Sequence, residues 1–86
     1  MLKYLLRNMD MFPEVQKILA KQLRIADPAT VTLESQIKKL GADSLDILQL
    51  LMRIEDDYGI VIPDEELATF VTVGDVVNYL NAQQRK

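Results

Sequence analysis

The stretch from Ser44 to Tyr58 restricts the fold more than any other part of this chain. Its polar residues Asp46, Gln49, Arg53, Asp56 and Asp57 recur at helical spacing. Almost everything between them is apolar: Leu45, Ile47, Leu48, Leu50, Leu51, Met52 and Ile54. This pattern predicts a helix, and Gly59 behind it supplies a left-handed stop. The apolar arc is wider than a surface helix of a small bundle needs. Either the helix is central or part of its apolar surface meets a partner. Leu50, Leu51 and Ile54 are expected in the core.

The rest of the chain must pack around that helix. With 86 residues and 49% hydrophobic content it supports one small domain, and a chain of this size buries only about 60–65% of its unfolded surface. Aromatics make up 6% and Trp is absent, so aliphatic side chains fill the core. Val15, Ile18, Leu19 and Leu23 predict a helix between Pro13 and Ile25, with Asp27-Pro28 ending it because the residue before proline leaves the α region. A long connection from about Ala26 to Asp43 follows, in which Leu33, Ile37 and Leu40 suggest a helical turn packed on the core. Pro63-Asp64-Glu65-Glu66 opens a short helix ending near Thr69. Thr72-Val73-Gly74-Asp75 is a capping box with Asp in place of Glu, and Val73, Val76, Val77 and Leu80 continue it as a last helix. The expected fold is all-α, a bundle of three longer helices and one short one with a long first connection. Leu2, Leu5, Leu6 and Met9 share one helical face, so residues 1–12 form an N-terminal extension or the start of the first helix; residues 13–82 are the domain and 83–86 a tail. The apolar part of that extension is too short and interrupted for a cleaved signal.

Charge divides the chain. Residues 1–40 hold seven Lys/Arg against four acids, residues 41–86 nine acids against three cations, and the net charge is −3. The acidic half argues against nucleic acid, which requires a positive footprint, and favours basic protein partners. No apolar run approaches the roughly 18 residues that span a bilayer, so no stable membrane insertion is expected. The absence of Cys removes disulfides and thiolate metal sites and agrees with a reducing, cytoplasmic setting. Clustered acids at Asp56, Asp57, Asp64, Glu65 and Glu66 lack the spacing of a calcium loop, and no metal site is assigned.

Gly41-Ala42-Asp43-Ser44-Leu45-Asp46 carries the chemistry. Ser44 stands where a helix begins, in the position of an N-cap. The chain has no His and no Cys, so no Ser-His-Asp or Cys-His arrangement can form within one copy. Ordinary carboxylates, which titrate at about 4, make poor bases for a serine hydroxyl at neutral pH. Ser44 is therefore expected to be modified by another enzyme, and no catalytic residue is assigned.

Three segments together resemble the acyl carrier proteins over roughly Val15 to Leu80: Leu40-Gly41-Ala42-Asp43-Ser44-Leu45-Asp46, Ile62-Pro63-Asp64-Glu65-Glu66 and Thr72-Val73-Gly74-Asp75-Val76. The resemblance implies 4′-phosphopantetheine joined to Ser44 by a separate phosphopantetheinyl transferase, with Asp43 and Leu45 beside it in the attachment motif. The terminal thiol of that arm supplies the sulfur this chain lacks and holds acyl groups as thioesters. The other serine, Ser35, has no such context.

The same resemblance assigns Asp46, Glu55 and Asp56 to contacts with basic patches on acyl-transfer, condensing or ligase enzymes, and Leu45 and Met52 to apolar contacts there. Gln49 and Arg53 depart from the acids usual at these places, and Lys38-Lys39 precede the motif where acids are common. The carrier is expected to serve enzymes of fatty-acid, polyketide or specialised lipid synthesis. These departures weaken the negative face and count against a housekeeping role with the full set of fatty-acid enzymes, in favour of a secondary pathway or one modified lipid. A monomeric, freestanding carrier that is not itself an enzyme is the leading expectation. An aminoacyl or peptidyl carrier and an unmodified helical interaction module are the alternatives.

Overall fold

A computed structural model of the chain describes residues 10–84, so the expectation for residues 1–9 lies outside the described part. The helices are α1 (Phe12–Gln22), α2 (Ser44–Tyr58), α3 (Asp64–Leu67) and α4 (Val73–Gln84), with 3-10 turns at Pro28–Thr30 and Lys38–Leu40 in the first connection. Among the described residues there are no strands, only one isolated bridge between Gln36 and Thr72. The expected all-α bundle is what forms, and α4 continues past residue 82.

The core is entirely apolar among the described residues. Val15 and Leu19 of α1, Ile47, Leu50, Leu51 and Ile54 of α2, and Val73, Val76, Val77 and Leu80 of α4 meet Val31, Ile37 and Ala42 from the connection. The burial of Leu50, Leu51 and Ile54 agrees with the expectation from periodicity. Polar side chains tie the edges. Gln16 donates from Nε2 to the Val31 carbonyl at 2.8 Å. Asn81 accepts the Met11 N–H at 2.8 Å and donates to Asp10 at 3.1 Å, fastening the start of α1 to α4.

One boundary differs from expectation. α1 stops at Gln22, well before Asp27-Pro28. Arg24 adopts a left-handed φ of 58°, and the Ile25 N–H reaches back to the Ala20 carbonyl at 2.8 Å, closing the helix in the manner usually given to glycine. The helical turn expected in the connection is the 3-10 turn Lys38–Leu40, packed on the core through buried Ile37 and half-buried Leu40, while Leu33 lies before it and is exposed.

The second half of the connection is anchored by backbone bonds to the start of α4. The N–H groups of Ile37, Val73 and Gly74 donate to the carbonyls of Val71, Ser35 and Leu33 at 2.9, 2.9 and 2.8 Å. Thr72 caps α4 as expected: its Oγ1 accepts from the Asp75 N–H at 3.2 Å, while Asp75 Oδ2 accepts from Thr72 and Val71 at 3.0 and 2.9 Å.

Candidate functional site

Three consecutive residues deliver Ser44 to the surface. Gly41 closes the Lys38–Leu40 turn with φ 93°, a conformation open mainly to glycine. Ala42 turns inward and is buried; Asp43 is extended, and the helix begins at Ser44. The capping assignment therefore differs from the expected one. Asp43, not Ser44, is the N-cap. Its Oδ1 accepts from the Asp46 N–H at 3.0 Å, and Asp46 Oδ2 accepts from the Asp43 N–H at 3.0 Å, a reciprocal capping box. Asp-x-x-Asp over 43–46 was the signal that separates the two candidates, since Ser44 has only Ile47 three residues on.

Ser44 is thereby relieved of any structural duty. It is exposed, and its hydroxyl makes no hydrogen bond to a described residue. Ser35 differs: its Oγ accepts the Thr32 N–H at 2.9 Å and lies 3.2 Å from the Thr32 hydroxyl. Next to Ser44, the capping box occupies the Asp46 N–H and the Asp43 carbonyl takes that of Ile47 at 3.1 Å. The Ser44 and Leu45 N–H groups have no partner among the described residues, so they are available to phosphate oxygens at the positive end of the helix dipole. These residues fit a phosphodiester on the Ser44 hydroxyl. Ser44 also borders a cleft of about 890 Å³ walled by Ile37, Ala42, Ile47, Leu67 and Phe70, with Lys38 a cation on its lining.

The predicted partner residues fall on two sides of α2. Leu45, Met52, Glu55 and Asp56 are exposed, the two apolar ones at 60% and 55%. Leu48, at 40%, completes this ridge and was not among the predicted contacts; its spacing from Leu45 and Met52 carries the signal. Asp46, Gln49 and Arg53 turn towards α1 instead. Gln22 of α1 donates from Nε2 to the Asp46 carbonyl at 2.7 Å, to Asp46 Oδ1 at 3.3 Å and to Gln49 Oε1 at 3.3 Å. Arg53 pairs with Asp57 at 3.4 Å, one helical turn on, with both side chains more than half exposed. Such a pair contributes a few tenths of a kcal/mol and cancels one acid of the stripe.

Away from the attachment motif, Tyr58 has its phenol pushed up to about 12, chiefly by burial and then by a hydrogen bond to Glu14. Among the described residues no cluster of three or more His, Cys, Asp or Glu side chains is arranged to hold a metal, and no helix is long and apolar enough to cross a membrane.

Comparison with known proteins agrees with this arrangement. The family model described as "Phosphopantetheine attachment site" matches residues 13–80. The acyl carrier protein of Helicobacter acinonychis (strain Sheeba) is 48% identical over 73 residues, covering 84% of this chain and 92% of that protein. The acyl carrier protein of Helicobacter pylori (strain G27) is 47% identical over the same shares, and that of strain ATCC 700392 / 26695 is 44% identical. A matched domain of this extent, an all-helical bundle and relatives of nearly the same length place the chain in the acyl carrier protein family, whose cofactor is 4′-phosphopantetheine.

Proposed function

We propose that Ser44 is the attachment point of the arm and that the loaded protein passes acyl thioesters between separate enzymes. The observation that carries the residue assignment is the contrast between the two serines. Among the described residues the exposed Ser44 hydroxyl has no hydrogen-bond partner and stands beside two unpartnered N–H groups, while the Ser35 hydroxyl is engaged in its own turn. When bound, 4′-phosphopantetheine supplies a terminal thiol for thioester chemistry. The chain's own contribution is positional. Asp43 and Asp46 hold the first turn, Gly41 brings the backbone round, and the Ser44 hydroxyl loses its proton as its oxygen forms the ester bond to phosphorus. The nucleotide half of coenzyme A departs in that step, and the transferase supplies the base, because this chain has none suited to it.

Partner enzymes with basic patches dock on the ridge of Leu45, Leu48 and Met52, with Glu55 and Asp56 providing attraction and orientation. Asp46 serves this face mainly by fixing the turn that presents Ser44. Gln49 and Arg53 narrow the range of partners, since a cation on the stripe facing α1 repels basic patches that an acid there would attract. The chain works as a monomeric cytoplasmic carrier with no catalytic step of its own.

Intact-mass measurement after incubation with coenzyme A and a phosphopantetheinyl transferase tests the attachment. One arm is expected on the wild type and none on Ser44→Ala. An arm persisting on Ser44→Ala overturns the assignment.

A further inference from the structure

Gln22, the last residue of α1, has a position that packing alone does not explain. Its amide nitrogen has two protons, and three acceptors on α2 lie around it: the Asp46 carbonyl at 2.7 Å, Asp46 Oδ1 at 3.3 Å and Gln49 Oε1 at 3.3 Å. Two of these belong to the residue that closes the capping box. With Oδ1 facing Gln22, the other oxygen, Oδ2, is turned to the Asp43 N–H at 3.0 Å. That bond fixes the peptide plane entering Asp43, whose extended conformation sets where Ser44 begins the helix. An unbroken chain of hydrogen bonds thus runs from α1 through the Asp46 carboxylate to the backbone immediately before Ser44.

We propose that Gln22 is a positioning residue for the loading reaction, holding Asp46 in the rotamer that presents the Ser44 hydroxyl to the transferase. This rests on the reading of Ser44 as the attachment point. The hydrogen bonds of the Gln22 side chain go to Asp46 and Gln49 and not to Ser44 or the exposed ridge of Leu45, Leu48 and Met52, so its effect falls on the presentation of the hydroxyl and not on docking. Gln16 provides the control. It makes a comparable tie from the same helix, to the Val31 carbonyl at 2.8 Å, with no connection to the capping box.

The experiment compares arm-transfer kinetics of the wild type, Gln22→Met and Gln16→Met, with amide hydrogen exchange recorded on the same unloaded samples. Gln22→Met keeps the chain length and removes both protons. Its kcat for transfer is expected to fall about fivefold, the order set by one hydrogen bond, with KM unchanged. The Asp43 amide should exchange faster while that of Val77 in α4 does not, and Gln16→Met should load as the wild type does. Equal loading by Gln22→Met and wild type, or equal slowing in both variants, overturns the proposal. Should the wild type itself take no arm, the attachment reading falls, and the clamp is judged by exchange alone: an unaltered Asp43 amide in Gln22→Met refutes it. Should Gln22→Met fail to fold, the side-chain amide protons of Gln22 in the wild type decide. They are expected to exchange more slowly than those of the exposed Gln36, and equal rates refute the clamp.

Discussion

Replacing Asp43 and Ser44 singly by alanine asks which of two adjacent residues starts the principal helix, and the structure predicts opposite outcomes. Asp43→Ala deletes the Oδ1 acceptor of the Asp46 N–H but leaves the backbone N–H that donates to Asp46 Oδ2, so one half of the capping box survives. Loss of an N-cap of this type costs about 1–2 kcal/mol. In a domain of this size each kcal/mol moves the melting temperature by roughly 4–8 °C, so a drop of about 4–16 °C is expected. Ser44→Ala removes a hydroxyl without a partner among the described residues and places a better helix former in the first turn, so its stability should match or exceed the wild type by up to about 0.5 kcal/mol. Thermal unfolding of the unloaded protein by circular dichroism at 222 nm separates the two by at least about 1 kcal/mol. Asp43→Asn refines the test, because asparagine caps nearly as well as aspartate and should restore most of the loss. A destabilised Ser44→Ala beside a neutral Asp43→Ala would refute the capping assignment and, with it, the claim that the Ser44 hydroxyl is unoccupied.

Other consequences are open to direct measurement. Charge reversal at both Glu55 and Asp56 should slow transfer by partner enzymes at low ionic strength with an unchanged circular dichroism spectrum, and the difference should shrink as salt is added; equal rates at low salt would remove the acidic-ridge model. Gln49→Glu combined with Arg53→Ala should improve loading by a general fatty-acid transacylase, which a panel of transacylases can read. Backbone N–H groups of Thr72 and then Val71 hold the Asp75 carboxyl below its ordinary 3.8; its stabilisation is complete above that value and lost as pH falls through the lowered one, so Asp75→Asn should flatten the acid limb of a stability-against-pH curve. Tyr58 runs the other way. Burial and then Glu14 raise its phenol from 10.0 to about 12, so the unfolded chain loses that proton first and stability declines from pH 10 upward, a decline that Tyr58→Phe should remove.

Much of this molecule is legible from side-chain periodicity and end signals. The α4 start follows from Thr72 and Asp75, and the α2 stop from Gly59, which takes φ 71° as a left-handed cap. What escapes sequence reasoning has identifiable causes. α1 ends at Gln22 because Arg24 accepts a positive φ, and nothing about an arginine announces that choice. Asp43 and Ser44 are equally good capping types, and only the acid three residues further on breaks the tie. The split of the α2 polar stripe is a tertiary effect: Asp46 and Gln49 are drawn to α1 by a glutamine remote in sequence, whereas Glu55 and Asp56 have no such partner among the described residues.

The pairing of residues 33–37 with 71–74 has a kinetic consequence. Those backbone bonds join segments separated by the whole of α2 and α3, so the loop that closes them is large and its entropy must be spent before any of the three bonds is made. α2 can wind early from local interactions, but the backbone leading into it settles only when the α4 start arrives. During synthesis the ordering of that backbone therefore waits for the end of the domain to leave the ribosome. An arm-transfer enzyme that requires the settled turn would pass over nascent chains and act on completed ones.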